Sequence, residues 1–392
     1  MRKLILSLSL IVAVFFATAQ NEYETILKEI ETNSTTLSTL REQMEVDKLN
    51  NRTGIYLDNP EVEFNYLWGS PSMLGKRTDV RVTQTFDFPT VYGYRNKISQ
   101  LENTNLNLIY KSERMNLLLQ AKQICIELAY LNALAKEYVS RLDNARLIAE
   151  AYQAKFDKGD ANMLENNKAQ LNLATVENEL KRIEIGATSL LLELKAMNGG
   201  NEIAFTVTNI ENELLPANFT DWYAVAETKN PVLQHVKGQI EIDRQQISMN
   251  KALGLPKFTA GYMSEGVVDE KFQGITIGIS VPLWENKNKV KHARAQIRAT
   301  ETALENNKIQ FYNRLQNLFA QSSGLRENAL KYRNSLSSYN NENLLKKALD
   351  SGEISILNYL LEIEYYYDAV NKVLELERDC NLSIAELSAV EL

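Results

Sequence analysis

Four short segments of the chain alternate apolar and polar residues with period two: Val62 to Trp68, Val80 to Phe88, Phe258 to Tyr262 and Ile275 to Val281. Alternation of this kind predicts strands with two unlike faces, placed here at about 61–68, 78–88, 257–263 and 274–281. In the second, Val80, Val82, Phe86 and Phe88 share one side while Arg81, Thr83, Thr85 and Asp87 share the other. In the fourth, Ile275, Ile277, Ile279 and Val281 oppose Thr276, Gly278 and Ser280. The charged side of such a strand requires water, and the apolar side requires a core or lipid.

Everything else of length has helical spacing. From Leu117 the apolar positions run through Ala121, Ile124, Leu128, Leu131, Ala135, Tyr138, Leu142, Ala145, Ala149, Tyr152 and Phe156, separated by three and four residues in turn. That is a coiled-coil seam, and Phe311, Leu315, Leu318, Ser322, Leu325, Ala329, Tyr332, Leu336 and Tyr339 repeat it. Shorter seams follow after Lys158-Gly159-Asp160 and after Ser351-Gly352-Glu353. One helix over 95–158 would be roughly 95 Å long at about 1.5 Å per residue. Charged residues between the seam positions, such as Lys136, Glu137, Arg141 and Asp143, read as faces in an aqueous compartment.

The pattern is written twice. Pro89 closes the second strand and Pro282 the fourth, 193 residues apart, and Gly159 and Gly352 keep the same offset. Upstream, Leu37 and Leu233 differ by 196, as do Pro60 and Pro256. The expected organisation is a repeat over 20–197, a connector over 198–220 containing Asn198-Gly199-Gly200 and Pro216, and a second repeat over 221–392. Each repeat holds a helix, a strand pair and a coiled-coil hairpin, with tips near 158–160 and 351–353. Only 16 Gly and 7 Pro in 392 residues leave few turns, which favours long elements in one extended body.

Composition narrows the function classes. With 43 Lys and Arg against 50 Asp and Glu, the net charge is −7, which argues against a nucleic-acid partner. Arg2 and Lys3, the apolar run Leu4 to Phe16 and Ala17-Thr18-Ala19 form an export signal over 1–19, too short for a membrane span. Cys125 and Cys380 read as small buried residues rather than a disulfide framework. The two histidines, His235 and His292, belong to no metal-binding or catalytic motif, so neither enzyme activity, nor a cofactor, nor a metal is expected.

Four amphipathic strands cannot close a membrane barrel, because about eight are needed. Two copies would supply eight strands and three would supply twelve, and the polar faces suit the wider lumen. The repeat, the strand pairs ending in Pro89-Thr90-Val91-Tyr92-Gly93 and Pro282-Leu283-Trp284-Glu285-Asn286, and the run Gly352-Glu353-Ile354-Ser355-Ile356-Leu357 together resemble the TolC family of outer membrane efflux proteins. The resemblance implies a mainly α fold with a small β part: coiled-coil hairpins forming an α-barrel, and four strands per protomer in a shared twelve-stranded transmembrane barrel. It further implies a homotrimer in the outer membrane lipid with its helical part in the periplasm. Such a trimer is the exit duct of a tripartite pump, with a periplasmic adaptor and a proton-driven or ATP-driven inner-membrane transporter as partners.

Three groups of residues follow as candidates. Glycine tolerates the left-handed backbone of a helix reversal, and in the proteins this sequence resembles those reversals meet the adaptor, so Gly159, Asp160, Gly352, Glu353 and Ser355 are docking candidates. Some relatives place two aspartates just beyond the second tip; here those positions hold Asn358 and Leu361. The aperture candidates are therefore Glu165, Asn358 and Glu362. Tyr66, Trp68, Phe86, Phe88 and Tyr262 are candidate membrane-interface aromatics, and Tyr92, Tyr94 and Trp284 fit that role or packing equally. The competing reading is the periplasmic adaptor itself, which carries helical hairpins but needs one hairpin between two β segments.

Overall fold

In a computed structural model, residues 22–208, 214–268, 270–339 and 341–392 are described. The expected export signal and the middle of the connector lie outside them. The elements are α1 (22–33), α2 (Thr35–Asn50), β1 (Glu61–Trp68), β2 (Lys76–Phe86), α3 (Pro89–Lys158), α4 (Met163–Met197), α5 (Phe219–Lys229), α6 (Pro231–Ala252), β3 (Lys257–Val267), β4 (Glu270–Ser280), α7 (Lys289–Ser338), α8 (Glu342–Asp350) and α9 (Ile356–Leu387). The chain is mainly helical with one small antiparallel sheet.

The chain divides into two compact units that cut across the repeats. Of the described residues, one unit holds those between 22 and 39, 113 and 226, and 311 and 392, and the other those between 40 and 112 and between 227 and 310. Each therefore draws on both repeats.

In the first unit the seam residues make the core. Ala121, Ile124, Cys125, Leu128 and Ala129 of α3 pack with Ile26 and Ile30 of α1 and Leu194 of α4. Further along, Ile148, Ala149 and Tyr152 of α3, Ala169 of α4, and Ile356, Tyr359 and Ile363 of α9 share another cluster, so both hairpin tips rest on one core. Cys125 and Cys380 are free and buried, and burial pushes the Cys125 thiol up to about 12. Arg141 departs from expectation. Read as solvated, it is 4% exposed, because its flat guanidinium slots between the rings of Tyr138 and Tyr367 at 4.5 and 4.4 Å.

The second unit holds the sheet, in the order β1-β2-β3-β4. Proline stands at the first helical position of α3 and of α6, where the missing N–H costs nothing. Asn230 caps α6 by accepting the Leu233 N–H at 3.0 Å. Strands β3 and β4 extend past their expected ends, through Ser264↔Gln273, Glu265↔Phe272 and Gly266↔Lys271. Alternation fades there while the backbone ladder continues, and the ladder does not depend on side-chain polarity. Strand β2 stops at Phe86, leaving Asp87 and Phe88 beyond it. Asp87 is buried and pairs with Arg95 at 2.7 Å, tying the strand end to the start of α3.

The helix leading to the second tip is broken where its seam ends: α7 stops at Ser338 and α8 begins at Glu342. The hydroxyls of Ser335, Ser337 and Ser338 bond back to carbonyls of the preceding turn, at 2.9–3.1 Å. Such bonds compete with the helix ladder and loosen it.

Candidate functional site

The register of the sheet gives it a mainly apolar side and a mainly ionic one, with Lys76 and Lys271 among the exceptions on the first and Leu67 and Phe272 among those on the second. Val62, Phe64, Tyr66 and Trp68 of β1 lie across from Val82, Val80, Thr78 and Lys76 of β2. Val82 in turn faces Tyr262, Phe86 faces Phe258, and Tyr262, Ala260 and Phe258 face Ile275, Ile277 and Ile279. Because strand neighbours alternate faces, all of these lie on one side. Most are solvent-exposed within the chain, Phe64 at 64%, Ile275 at 82% and Ile277 at 81%, while Thr78, Val80 and Phe86 are half-buried.

The opposite side is ionic. Arg81 pairs with Glu63 at 3.0 Å, and Arg77 with Asp79 at 2.9 Å and Glu265 at 3.0 Å. Lys257 reaches Glu285 at 3.4 Å, and the hydroxyls of Thr85 and Thr259 meet at 3.3 Å. Among the described residues the outer edges of β1 and β4 have no strand partner. No helix among these residues is long and apolar enough to cross a membrane.

The candidate aromatics distribute along this sheet. Tyr66 and Trp68 stand together at the β1–β2 hairpin end, ring centroids 6.5 Å apart. Phe86 lies at the helix-linked end, where Phe88 packs on Phe258 at 6.4 Å. Tyr262 sits in mid-strand, in the row of Val82 and Ile275, since β3 is longer than its alternating part. Tyr92 accepts the Asp87 N–H through its hydroxyl at 2.9 Å, a packing role at the start of α3.

The two tips are built alike. Gly159 has φ +81° and Gly352 φ +74°. At the first, the Asp160 N–H bonds the Lys155 carbonyl at 2.8 Å and the Gly159 N–H bonds Phe156 at 3.0 Å. At the second, the Glu353 N–H bonds Ala348 at 2.9 Å and the Gly352 N–H bonds Leu349 at 3.1 Å. Both are Schellman closures, in which the left-handed glycine turns the backbone N–H groups onto the last carbonyls of the helix.

Three residues on, each return helix opens with a side-chain cap. Asn162 accepts the Glu165 N–H at 3.0 Å, and the Glu165 carboxylate accepts the Asn162 N–H at 3.0 Å, a reciprocal box. Ser355 accepts the Asn358 N–H at 3.2 Å, but Asn358 returns no such bond. Glu165 and Asn358 are thus equivalent third positions of two helices, and Glu165 has a local structural partner. Asp160, Glu353 and Glu362 are exposed.

Sequence reasoning missed the polar set beneath the tips. The Arg141 Nη2 donates to Asn371 Oδ1 at 2.9 Å, and Asn144 Nδ2 donates to the Tyr359 hydroxyl at 2.7 Å. Burial pushes the Tyr367 hydroxyl up to about 12. These residues line a groove of about 380 Å³ between α4 and α9, floored by α3. The available signal was position: Arg141 follows Tyr138 by three and precedes Ala145 by four, beside the seam rather than opposite it.

A two-faced four-stranded sheet combined with paired helical hairpins is the protomer fold of the TolC-type outer membrane channels. The sequence matches no protein-family model and no curated protein. The solved structures it resembles are specific: CusC, with a TM-score of 0.79 at 13% identity over 94% of this chain and 92% of that one. The Campylobacter jejuni CmeC outer membrane channel gives 0.77 at 14%, over 94% and 85%. The Vibrio cholerae outer membrane protein VceC gives 0.76 at 13%, over 94% and 96%.

Proposed function

We propose that this chain is one protomer of an outer membrane channel, the exit duct of a tripartite efflux pump that passes substrates from the periplasm, or from an inner-membrane transporter and its adaptor, to the exterior. The observation that supports it is the sorting of the sheet. One side exposes a continuous band of Val, Ile, Phe and Tyr, a patch that soluble monomers rarely leave bare, while the other carries ion pairs suited to water.

Lipid satisfies the first side and a wet lumen the second. Open strand edges are not tolerated in hydrocarbon, where each unsatisfied backbone group costs several kcal/mol. The edges of β1 and β4 are therefore closed by further copies, three giving twelve strands around a lumen. The helical hairpins then lie in the periplasm. Their reversals at Gly159, Asp160, Gly352, Glu353 and Ser355 meet the adaptor, and the inner-membrane transporter supplies energy and substrate choice. The likeness in fold over 94% of the chain favours this reading over the adaptor.

Fractionation and native mass spectrometry test it together. The protein is expected to stay with the outer membrane through salt washing, to require detergent for release, and to have the mass of three chains. A monomer soluble without detergent overturns the proposal.

A further inference from the structure

The cations of the sheet fall into two kinds. On the ionic side Arg77, Arg81 and Lys257 all have carboxylate partners. On the apolar side the register places two lysines, Lys76 directly across from Trp68 and Lys271 in the row of Tyr66, Thr78 and Gly266. That side carries no Asp or Glu among the described residues, and neither lysine has a carboxylate partner there. Both are exposed, and the Lys76 Nζ lies 5.9 Å from the centre of the Tyr66 ring. Rows nearer the helices carry no charged residue, only Ser264, Gln273 and Gln84 among their aliphatic and aromatic members, so the lysines form a basic aromatic rim at the hairpin end of an uncharged band.

An ammonium without a carboxylate partner on an otherwise lipid-facing surface is costly unless its stem lies along apolar surface and its head reaches an interface. Tyr and Trp mark the same depth. We propose that the Lys76–Lys271 rim docks anionic phosphate headgroups of the surrounding membrane, the lipid rather than a protein supplying the missing countercharge. The inference rests on the channel reading above, because only a lipid-facing sheet brings headgroups to this rim. In a trimer the rim recurs three times around the barrel. The arginines across the sheet contribute nothing to it, since their partners are already in place.

The test uses the full-length protein in two stages. Flotation with phosphatidylcholine vesicles first reports insertion. Native mass spectrometry of protein released from phosphatidylcholine mixed with phosphatidylglycerol then gives the enrichment of anionic lipid retained on the trimer. Enrichment is expected for the wild type, to fall about fivefold for each lysine removed in K76Q and K271Q, and to persist in K76R/K271R and in R81Q. High salt should erode it, as a partly exposed charge contact is screened.

Wild-type protein that floats but shows no enrichment, or a K76Q/K271Q double variant that keeps it, overturns this inference alone. Protein that fails to float overturns the channel reading and the rim with it. Displacement of lipid by inorganic phosphate beyond that caused by sodium chloride of equal ionic strength overturns the lipid assignment in favour of a free-phosphate site.

Discussion

At the scale of single residues, the two tip glycines separate folding from docking. An added Cβ at Gly159 or Gly352 meets nothing within 4 Å, so alanine there carries only the penalty of a left-handed backbone, about 1 kcal/mol each. G159A and G352A are therefore expected to yield a folded oligomer slightly less stable to heat. A bulkier pair, G159F and G352F, should abolish crosslinking to the adaptor while leaving barrel and oligomer intact; unchanged crosslinking and efflux would remove the tips from the docking surface. Position and conformation of both glycines were legible in the sequence, because a single residue type dominates left-handed helix ends. Arg141 was not legible. A guanidinium can be solvated or stacked, and its choice depends on Tyr367, which is 226 residues away and reaches it only through tertiary packing.

At the scale of elements, the sheet makes the sharpest prediction. Adjacent residues of β4 point to opposite sides, so an arginine at Ile277 and one at Thr276 probe different solvents within one strand. If the apolar side faces lipid, I277R costs about 2–4 kcal/mol near the bilayer centre, whereas T276R, beside Gly261 on the ionic side, costs far less. Unfolding in vesicles measures both, and equal losses would argue against a lipid-facing band. The strands themselves were readable from alternation, but their full lengths were not, because pairing beyond Tyr262 is carried by backbone bonds with Gly266 and Lys271 in register.

Helices α3 and α9 show another device that periodicity cannot reveal. Arg141 of α3 stacks on Tyr367 of α9, and eleven residues away on each helix the roles reverse, with Arg378 of α9 lying 4.5 Å from the ring of Tyr130. Two reciprocal cation–π contacts, separated by about three helical turns, fix the register of that antiparallel pair.

At the scale of the whole molecule, charge sets the permeation prediction. The ionic side of the sheet carries five carboxylates, Glu61, Glu63, Asp79, Glu265 and Glu270, against the cations Arg77, Arg81 and Lys257. As a lumen it favours cations, and reversal potentials in planar bilayers should move toward neutrality in E61Q/E270Q. E165Q tests the aperture in the same recording: glutamine preserves the reciprocal cap, so a change in selectivity reports the carboxylate ring and an unchanged one discards it. That the chain carries only four strands among its described residues could be read from the sequence. The cut of the compact units across both repeats could not, since it depends on which helices pack together. The tips carry a final consequence. What holds each reversal is main chain, one glycine and a short cap, so the outward side chains there bear almost none of the folding constraint. Glu165 and Asn358 already differ at equivalent places, so one backbone closure accommodates different side chains at the two reversals.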